Sequence, residues 1–132
     1  MDLDKLDELL AQWEETYKKG LLSFWLLLLL SKRRAYPYEI NKAIRELSQN
    51  TISADENSIY RALNRLTQSG VVDSQVQSSD TGPSRRYYFL TDLGSELLTR
   101  FITRNILVFQ QANMVVLINQ TLSAQVDRKE NL

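Results

Sequence analysis

Apolar residues recur at helical spacing over the first seventy positions, crowd together as strands prefer for the next twenty, and then return to a helical repeat. In the first stretch, from Asp2 to Tyr17, Leu3, Leu6, Leu10, Trp13 and Tyr17 step by three or four, while Asp4, Asp7, Glu8 and Glu14 take the other faces. That spacing predicts an amphipathic helix. Lys18-Lys19-Gly20 interrupts the pattern, and Leu21 to Ser31 follows as a second helix, apolar on nearly all sides and therefore central to a small bundle. Pro37 suits the first position of a third helix, from about Pro37 to Leu47. Its inner stripe is Ile40, Ala43, Ile44 and Leu47; Glu39, Lys42, Arg45 and Glu46 lie outside. A short polar turn, Ser48 to Ile52, leads to a fourth helix from Ser53 to Gly70. Ser53 with Glu56 three residues on is a capping signature, and Gly70 is a helix terminator. Ile59, Ala62, Leu63 and Leu66 turn inward, leaving Asn57, Ser58, Arg61, Asn64, Arg65 and Gln68 on the outer face.

After Gly70 the period changes. Val71, Val72 and Val76, then Tyr87, Tyr88, Phe89 and Leu90, are β-branched, aromatic or apolar. Gln77 to Arg86 between them reads as the polar, flexible tip of a β-hairpin, with Arg85 and Arg86 on it. Thr91 caps a last helix that runs from about Asp92 to Val126. Phe101, Val108, Val115 and Leu122 repeat there every seven positions, with Asn105, Ala112, Asn119 and Val126 beside them. A sustained heptad is a helix-pairing signal. Two short helices joined by a turn, then a basic hairpin, predict a winged helix-turn-helix in a mainly α protein with a small β-hairpin. The expected organisation is an N-terminal amphipathic helix over 1–19, the winged domain over 20–91, a C-terminal dimerisation helix over 92–126 and a flexible tail over 127–132.

Composition narrows the function. The chain has 132 residues, enough for one compact domain, with 43% hydrophobic residues and a formal net charge of zero. That average conceals an asymmetry. Met1 to Glu15 carries one basic and six acidic residues, whereas Thr16 to Arg104 carries thirteen basic and eight acidic. The middle of the chain is the part suited to an anionic partner. Cys and His are both absent, which removes disulfides, thiolate and imidazole catalysis and Cys/His metal sites. No Gly-rich phosphate loop or clustered carboxylates stand in for them, so neither an enzyme nor a cofactor is expected. The acidic start is unlike a secretory signal. The apolar run Leu21 to Leu30 has ten residues where a membrane span needs roughly twenty. A cytoplasmic protein without a membrane partner is the expectation.

The outer face of the Ser53–Gly70 helix is either solvated surface or a reading head. Asn and Arg make bidentate contacts with adenine and guanine edges, and Ser contacts base or phosphate. Asn57, Ser58, Arg61 and Asn64 are therefore candidates for the major groove, Arg65 for a phosphate, and Arg85 and Arg86 for the backbone or minor groove. Apolar surface on Leu6, Leu10, Trp13, Phe101, Val108, Ala112, Val115 and Leu122 exceeds what one small domain covers, which points to a homodimer. Whether the N-terminal helix packs in cis or on the partner stays open. Two function classes remain: a dimeric regulator binding an inverted-repeat operator in double-stranded DNA, or a winged-helix protein-interaction module. Asp55 and Glu56, two carboxylates in the first turn of the reading helix, keep the second alive.

Four segments together resemble the PadR-like family of transcriptional regulators. Leu26 to Leu30 with Tyr38-Glu39-Ile40 looks like the family's Leu-rich helix and Tyr-Glu-Ile helix start. Ser58-Ile59-Tyr60-Arg61-Ala62-Leu63 followed by Leu66 is similar to its recognition helix, Gly82-Pro83-Ser84-Arg85-Arg86-Tyr87-Tyr88 to its wing, and Leu90-Thr91-Asp92-Leu93-Gly94 to the opening of its last helix. The chain departs from the family where Tyr36-Pro37 replaces a common His-Gly, and where Arg61 replaces a Pro. The resemblance implies a repressor that dimerises through terminal helices, and a Tyr60 hydroxyl that donates to a DNA phosphate. It also implies that a small-molecule effector can sit at the dimer seam, although no residue here specifies one. The added N-terminal helix looks like that of a cyanobacterial circadian repressor.

Overall fold

A computed structural model describes residues 1–79 and 81–130. It divides into two compact units, 1–96 and 97–132. In the first unit, helix α1 runs unbroken from Leu3 to Leu30. The interruption expected at Lys18-Lys19-Gly20 is absent. A single exposed glycine costs a helix only about 1 kcal/mol, and two ion pairs bracket the site, Lys18–Glu14 at 2.8 Å and Lys19–Glu15 at 3.1 Å. The Asp2 carboxylate caps the start by accepting from the Lys5 N–H at 3.0 Å. Only the last stretch of α1 is fully covered, at Leu26, Leu27, Leu29 and Leu30; Leu21 to Trp25 are half-buried. The N-terminal half leaves Leu3, Leu6, Leu9, Leu10, Trp13 and Tyr17 exposed.

Helix α2 (Pro37–Leu47) and helix α3 (Glu56–Gln68) pack on α1 and on each other. Leu26, Ile40, Ile44, Ile59 and Leu63 are fully buried where the three helices meet. Each such side chain contributes about 1.5–3 kcal/mol through burial. Leu47, expected inside, is 56% exposed because α2 ends there and the chain turns away. The turn is built by Ser48, whose buried hydroxyl accepts from the Ile52 N–H at 3.0 Å, and by Gln49 and Asn50 in the left-handed region at φ 53° and 63°.

Helix α3 starts three residues later than its sequence suggests. Asp55, not Ser53, is the cap: its carboxylate accepts from the Ser58 N–H at 2.7 Å. At the other end Gly70 N–H donates to Thr67 C=O and Val71 N–H to Leu66 C=O. This pair of bonds is a Schellman closure, and it requires the positive φ of 83° that Gly70 adopts.

Strands β1 (Val72–Ser79) and β2 (Gly82–Leu90) form an antiparallel hairpin in which Val72 faces Leu90, Val76 faces Arg86 and Gln77 faces Arg85. The expected flexible tip is therefore much shorter, and Arg85 and Arg86 lie within β2. Backbone pairing needs no apolar side chains, so the polar composition of Gln77 to Arg86 did not end the strands. Ala35, in the α1–α2 connection, exchanges two backbone hydrogen bonds with Tyr88, at 2.8 and 3.1 Å, and makes a rudimentary third strand.

Thr91 caps α4 (Asp92–Phe101), its hydroxyl accepting from the Gly94 N–H at 3.1 Å while donating to the Gly70 carbonyl at 2.6 Å. In the second unit the single long helix expected to Val126 is interrupted. A π-turn spans Ile102–Ile106 and a 3-10 turn Leu107–Gln110, Gln111 is extended at ψ 142°, and α5 runs Ala112–Glu130. Thr103 and Asn105 side chains bond the carbonyls of Thr99 and Phe101, and such back-bonding loosens a helical ladder. The two arms are bent by 50°. Val108 therefore stands before the break and Val115 and Leu122 after it, so the heptad does not form one straight seam. Residues 127–130 of the expected flexible tail continue α5.

Candidate nucleic-acid interface

The outer face of α3 follows from its inner one. With Ile59, Ala62 and Leu63 buried, the 3.6-residue period turns Asn57, Arg61, Asn64 and Arg65 to solvent, with Ser58 half-buried beside them. Arg61 leans toward the first turn, where its guanidinium donates to the Ser58 hydroxyl at 3.3 Å. The Asp55 carboxyl is held below its ordinary value of 3.8, first by the hydrogen bonds from Ser58 and further by the Arg61 charge. A negative charge thus persists at the tip of the helix at neutral pH. Asp55 is thus a structural cap that also keeps a carboxylate at the start of α3.

The hairpin carries the second half of the surface. Alternation along β2 sends neighbouring arginines to opposite faces. Arg86 shares a face with Tyr88 and Ser74, and its guanidinium donates to the Ser74 hydroxyl at 3.0 Å. Burial pushes the Tyr88 phenol up from its ordinary value, partly offset by the Arg86 charge. Tyr60, 45% exposed on α3, joins Arg86, Ser84, Tyr36 and Pro37 around a concave site of about 370 Å³. Arg85 projects from the other face of the strand yet also lines this hollow, its guanidinium lying 4.5 Å from the centre of the Tyr36 ring. A phenol donor and a guanidinium at the rim of one hollow suit an oxyanion such as a phosphate.

The basic run Lys32-Arg33-Arg34 divides by role. Arg34 bonds the Gln75 side chain at 2.7 Å and covers the Phe89 ring at 4.2 Å, which ties the α1–α2 connection to the hairpin. Arg33 pairs with Glu39 at 3.5 Å. The Glu39 carboxylate also accepts from the Tyr36 N–H at 3.3 Å, so the start of α2 already has its own anion. A second hollow of about 290 Å³, between α1 and the turn before α3, includes Lys18 and Lys19, but Glu15 and Asp55 also line it and it presents no net cationic field.

Asn57, Ser58, Tyr60, Arg61, Asn64 and Arg65 therefore share α3, and Arg86 meets Tyr60 across the concave site. The contribution of Tyr36 and Pro37 was not read from the sequence. Its signal was present in the Pro at the helix start, which places Tyr36 at the cap, but the pairing of Ala35 with β2 that brings it to the hairpin is a long-range event. The residues expected to pair two copies are solvent-facing in a single chain: Leu6 (49% exposed), Leu10 (50%), Trp13 (76%), Val108 (37%), Val115 (41%) and Leu122 (62%), with Ala112 exposed and Phe101 half-buried. Among the described residues no single helix is long and apolar enough to cross a membrane, and one bent pair, Asp92–Gln110 with Ala112–Glu130, passes by length and composition together.

Residues 26–100 match the profile of the transcriptional regulator PadR-like family. A PadR-like transcription factor from Bacteroides fragilis is 26% identical, with a TM-score of 0.63, over 79% of this chain and 98% of its own. A PadR-like transcriptional regulator from Bacillus cereus is 28% identical, with a TM-score of 0.63, over 74% of this chain and 93% of its own. Bacillus subtilis PadR, solved in complex with operator DNA, is 28% identical with a TM-score of 0.59; the match covers 64% of this chain and 48% of that one.

Proposed function

The chain belongs to the PadR-like family of transcriptional regulators, and from that premise we propose that it is a sequence-specific DNA-binding repressor acting as a homodimer. The observation that carries this reading is the outer face of α3, where Asn57, Arg61 and Asn64 present base-reading groups with little apolar surface around them. Ser58 joins them at the groove. Arg65 holds a phosphate, and the Tyr60 hydroxyl and Arg86 hold another at the concave site. Contacts of the second kind fix register and carry the salt dependence; those of the first kind choose the sequence.

Dimerisation is supported by the apolar surface left on both ends of the chain. A second copy covers Leu6, Leu10 and Trp13, together with Val115 and Leu122 on α5. Two α3 helices then stand about 34 Å apart, one turn of DNA, and read successive major grooves of an inverted repeat. Repression follows from occupancy of a promoter. The likeness of the N-terminal helix to a circadian repressor's makes a clock-controlled promoter one class of target. No effector is assigned.

The experiment is selection of bound fragments from sheared genomic DNA by the purified protein, followed by titration of the recovered duplex. A palindromic consensus with half-sites about one helical turn apart is expected. Recovery of no fragment above background, with salt-insensitive capture of a protein partner instead, would establish the protein-interaction reading that Asp55 and Glu56 favour.

A further inference from the structure

Arg85 and Arg86 are adjacent and chemically alike, yet the hairpin gives them different surroundings. Both line the hollow beside Tyr60, but Arg86 bonds the Ser74 hydroxyl across the hairpin. Arg85 sits on the Tyr36 ring at 4.5 Å. The same Tyr36 ring meets Tyr87 edge-on at 5.5 Å and stacks with Tyr38 at 6.3 Å and 19°. Two residues before it, Arg34 covers Phe89 and bonds Gln75. The contacts of Arg85, Tyr87, Phe89 and Gln75 lie on one face of the hairpin, and their other ends, Arg34 and Tyr36, lie in the connection that opens α2. An isolated two-stranded hairpin is marginal in water. The outer half of this one, beyond Tyr87, has exposed side chains on both strands. Among the described contacts, the Arg85–Tyr36 pair is the outermost that ties β2 to the helical body.

We infer that Arg85 is a positioning residue: seated on the Tyr36 ring, it locks the wing against the start of α2 and so sets the reach of Arg86 toward the DNA backbone. The inference rests on the proposed DNA-binding function and assigns the two arginines of the wing separate jobs within it.

The test is titration of the selected duplex at several salt concentrations with Arg85→Ala, Tyr36→Leu, their double variant, Tyr36→Phe with and without Arg85→Ala, and Arg86→Ala. Removing a phosphate contact lowers the slope of log K against log salt by about 0.9. Arg86→Ala shows that loss. Arg85→Ala and Tyr36→Leu each weaken binding roughly fivefold, the scale of one cation–π contact, with the slope of wild type. The double variant is no weaker than the worse single one, because either change releases the same lock. In a Tyr36→Phe background Arg85→Ala still weakens binding roughly fivefold, since the ring and not the hydroxyl carries the contact. Additive losses, or a slope reduced by about 0.9 in Arg85→Ala with Tyr36→Leu silent, overturn the inference and make Arg85 a phosphate contact. If Tyr36→Leu does not fold, the slope of Arg85→Ala decides alone. Failure of the wild type to retain any duplex is a different result: it overturns the DNA-binding reading, and the assignment of Arg85 with it.

Discussion

The same substitution, Gly→Ala, should have opposite signs at two positions of this chain, and the structure says why. Gly94 lies in the first turn of α4, where the helix crosses the end of the α3–β1 connection. A Cβ there would fall well inside contact with the Val71 carbonyl oxygen, 2.9 Å from its carbon and 3.2 Å from Leu90 Cδ2. The first two are backbone atoms, so no side-chain rotation relieves them. The helix must lift, and lifting it strains Thr91 N–H to Val71 C=O at 3.2 Å and Thr91 hydroxyl to Gly70 C=O at 2.6 Å. Overpacking costs about 1–3 kcal/mol and each weakened bond about 1 kcal/mol, against about 1 kcal/mol gained in helix propensity, leaving Gly94→Ala destabilised by roughly 2–4 kcal/mol. Gly20, exposed in mid-α1, has nothing within 4 Å of its would-be Cβ, so Gly20→Ala keeps only the propensity gain of about 1 kcal/mol. Urea unfolding followed by circular dichroism, at one fixed protein concentration because association adds to apparent stability, reads both. A Gly94→Ala midpoint equal to or above wild type would refute the reasoning. So would a Gly20→Ala midpoint below it.

Three further outcomes follow from the same structure. Asp55→Asn keeps a capping acceptor and removes the charge, so the protein stays folded at pH 7 while every duplex binds more tightly; unchanged affinity would mean that the carboxylate does not face phosphate. Because the folded-state value of Asp55 is lowered, its stabilisation is present above its ordinary 3.8 and is lost as pH falls through the folded value, so acid unfolding of Asp55→Asn should be flatter below that pH. Replacing Val115 and Leu122 together by Glu buries charge in the proposed α5 seam, and sedimentation equilibrium should report a folded monomer with weakened operator binding, whereas an intact dimer would place the seam elsewhere.

Much of the winged domain was legible because burial imposes periodicity. Ile40 and Ile44, then Ile59, Ala62 and Leu63, are buried as their spacing requires. The Leu-Thr-x-x-Gly stretch at Leu90 also has a physical reading: Thr91 caps α4 while bonding Gly70, and Gly94 leaves room for the Val71 carbonyl. The misread boundaries share a cause, a local signal outweighed by a stronger neighbour. Gly20 did not break α1, because its cost of about 1 kcal/mol is small against the burial of Leu26 to Leu30 that follows, and the bracketing ion pairs offset part of it. Ser53 lost the cap of α3 to Asp55, and the polar wing residues stayed paired through backbone bonds. The C-terminal heptad could not announce its own break at Gln111, since the apolar spacing continues unchanged across it. The face of α3 was readable at once. The different fates of Arg85 and Arg86 were not, since they depend on a strand register and on a bridge to Ala35, both long-range.

The central claim is that the polar face of α3 reads DNA. The most direct measurement titrates wild type and Arg61→Ala with the selected operator and with a scrambled duplex of equal length, at one salt concentration. Arg61→Ala should lose about 1–3 kcal/mol of operator affinity, with a much smaller change on the scrambled duplex, so that the ratio between them collapses. Equal affinity of the two proteins for the operator, or an equal loss on both duplexes, would contradict the account.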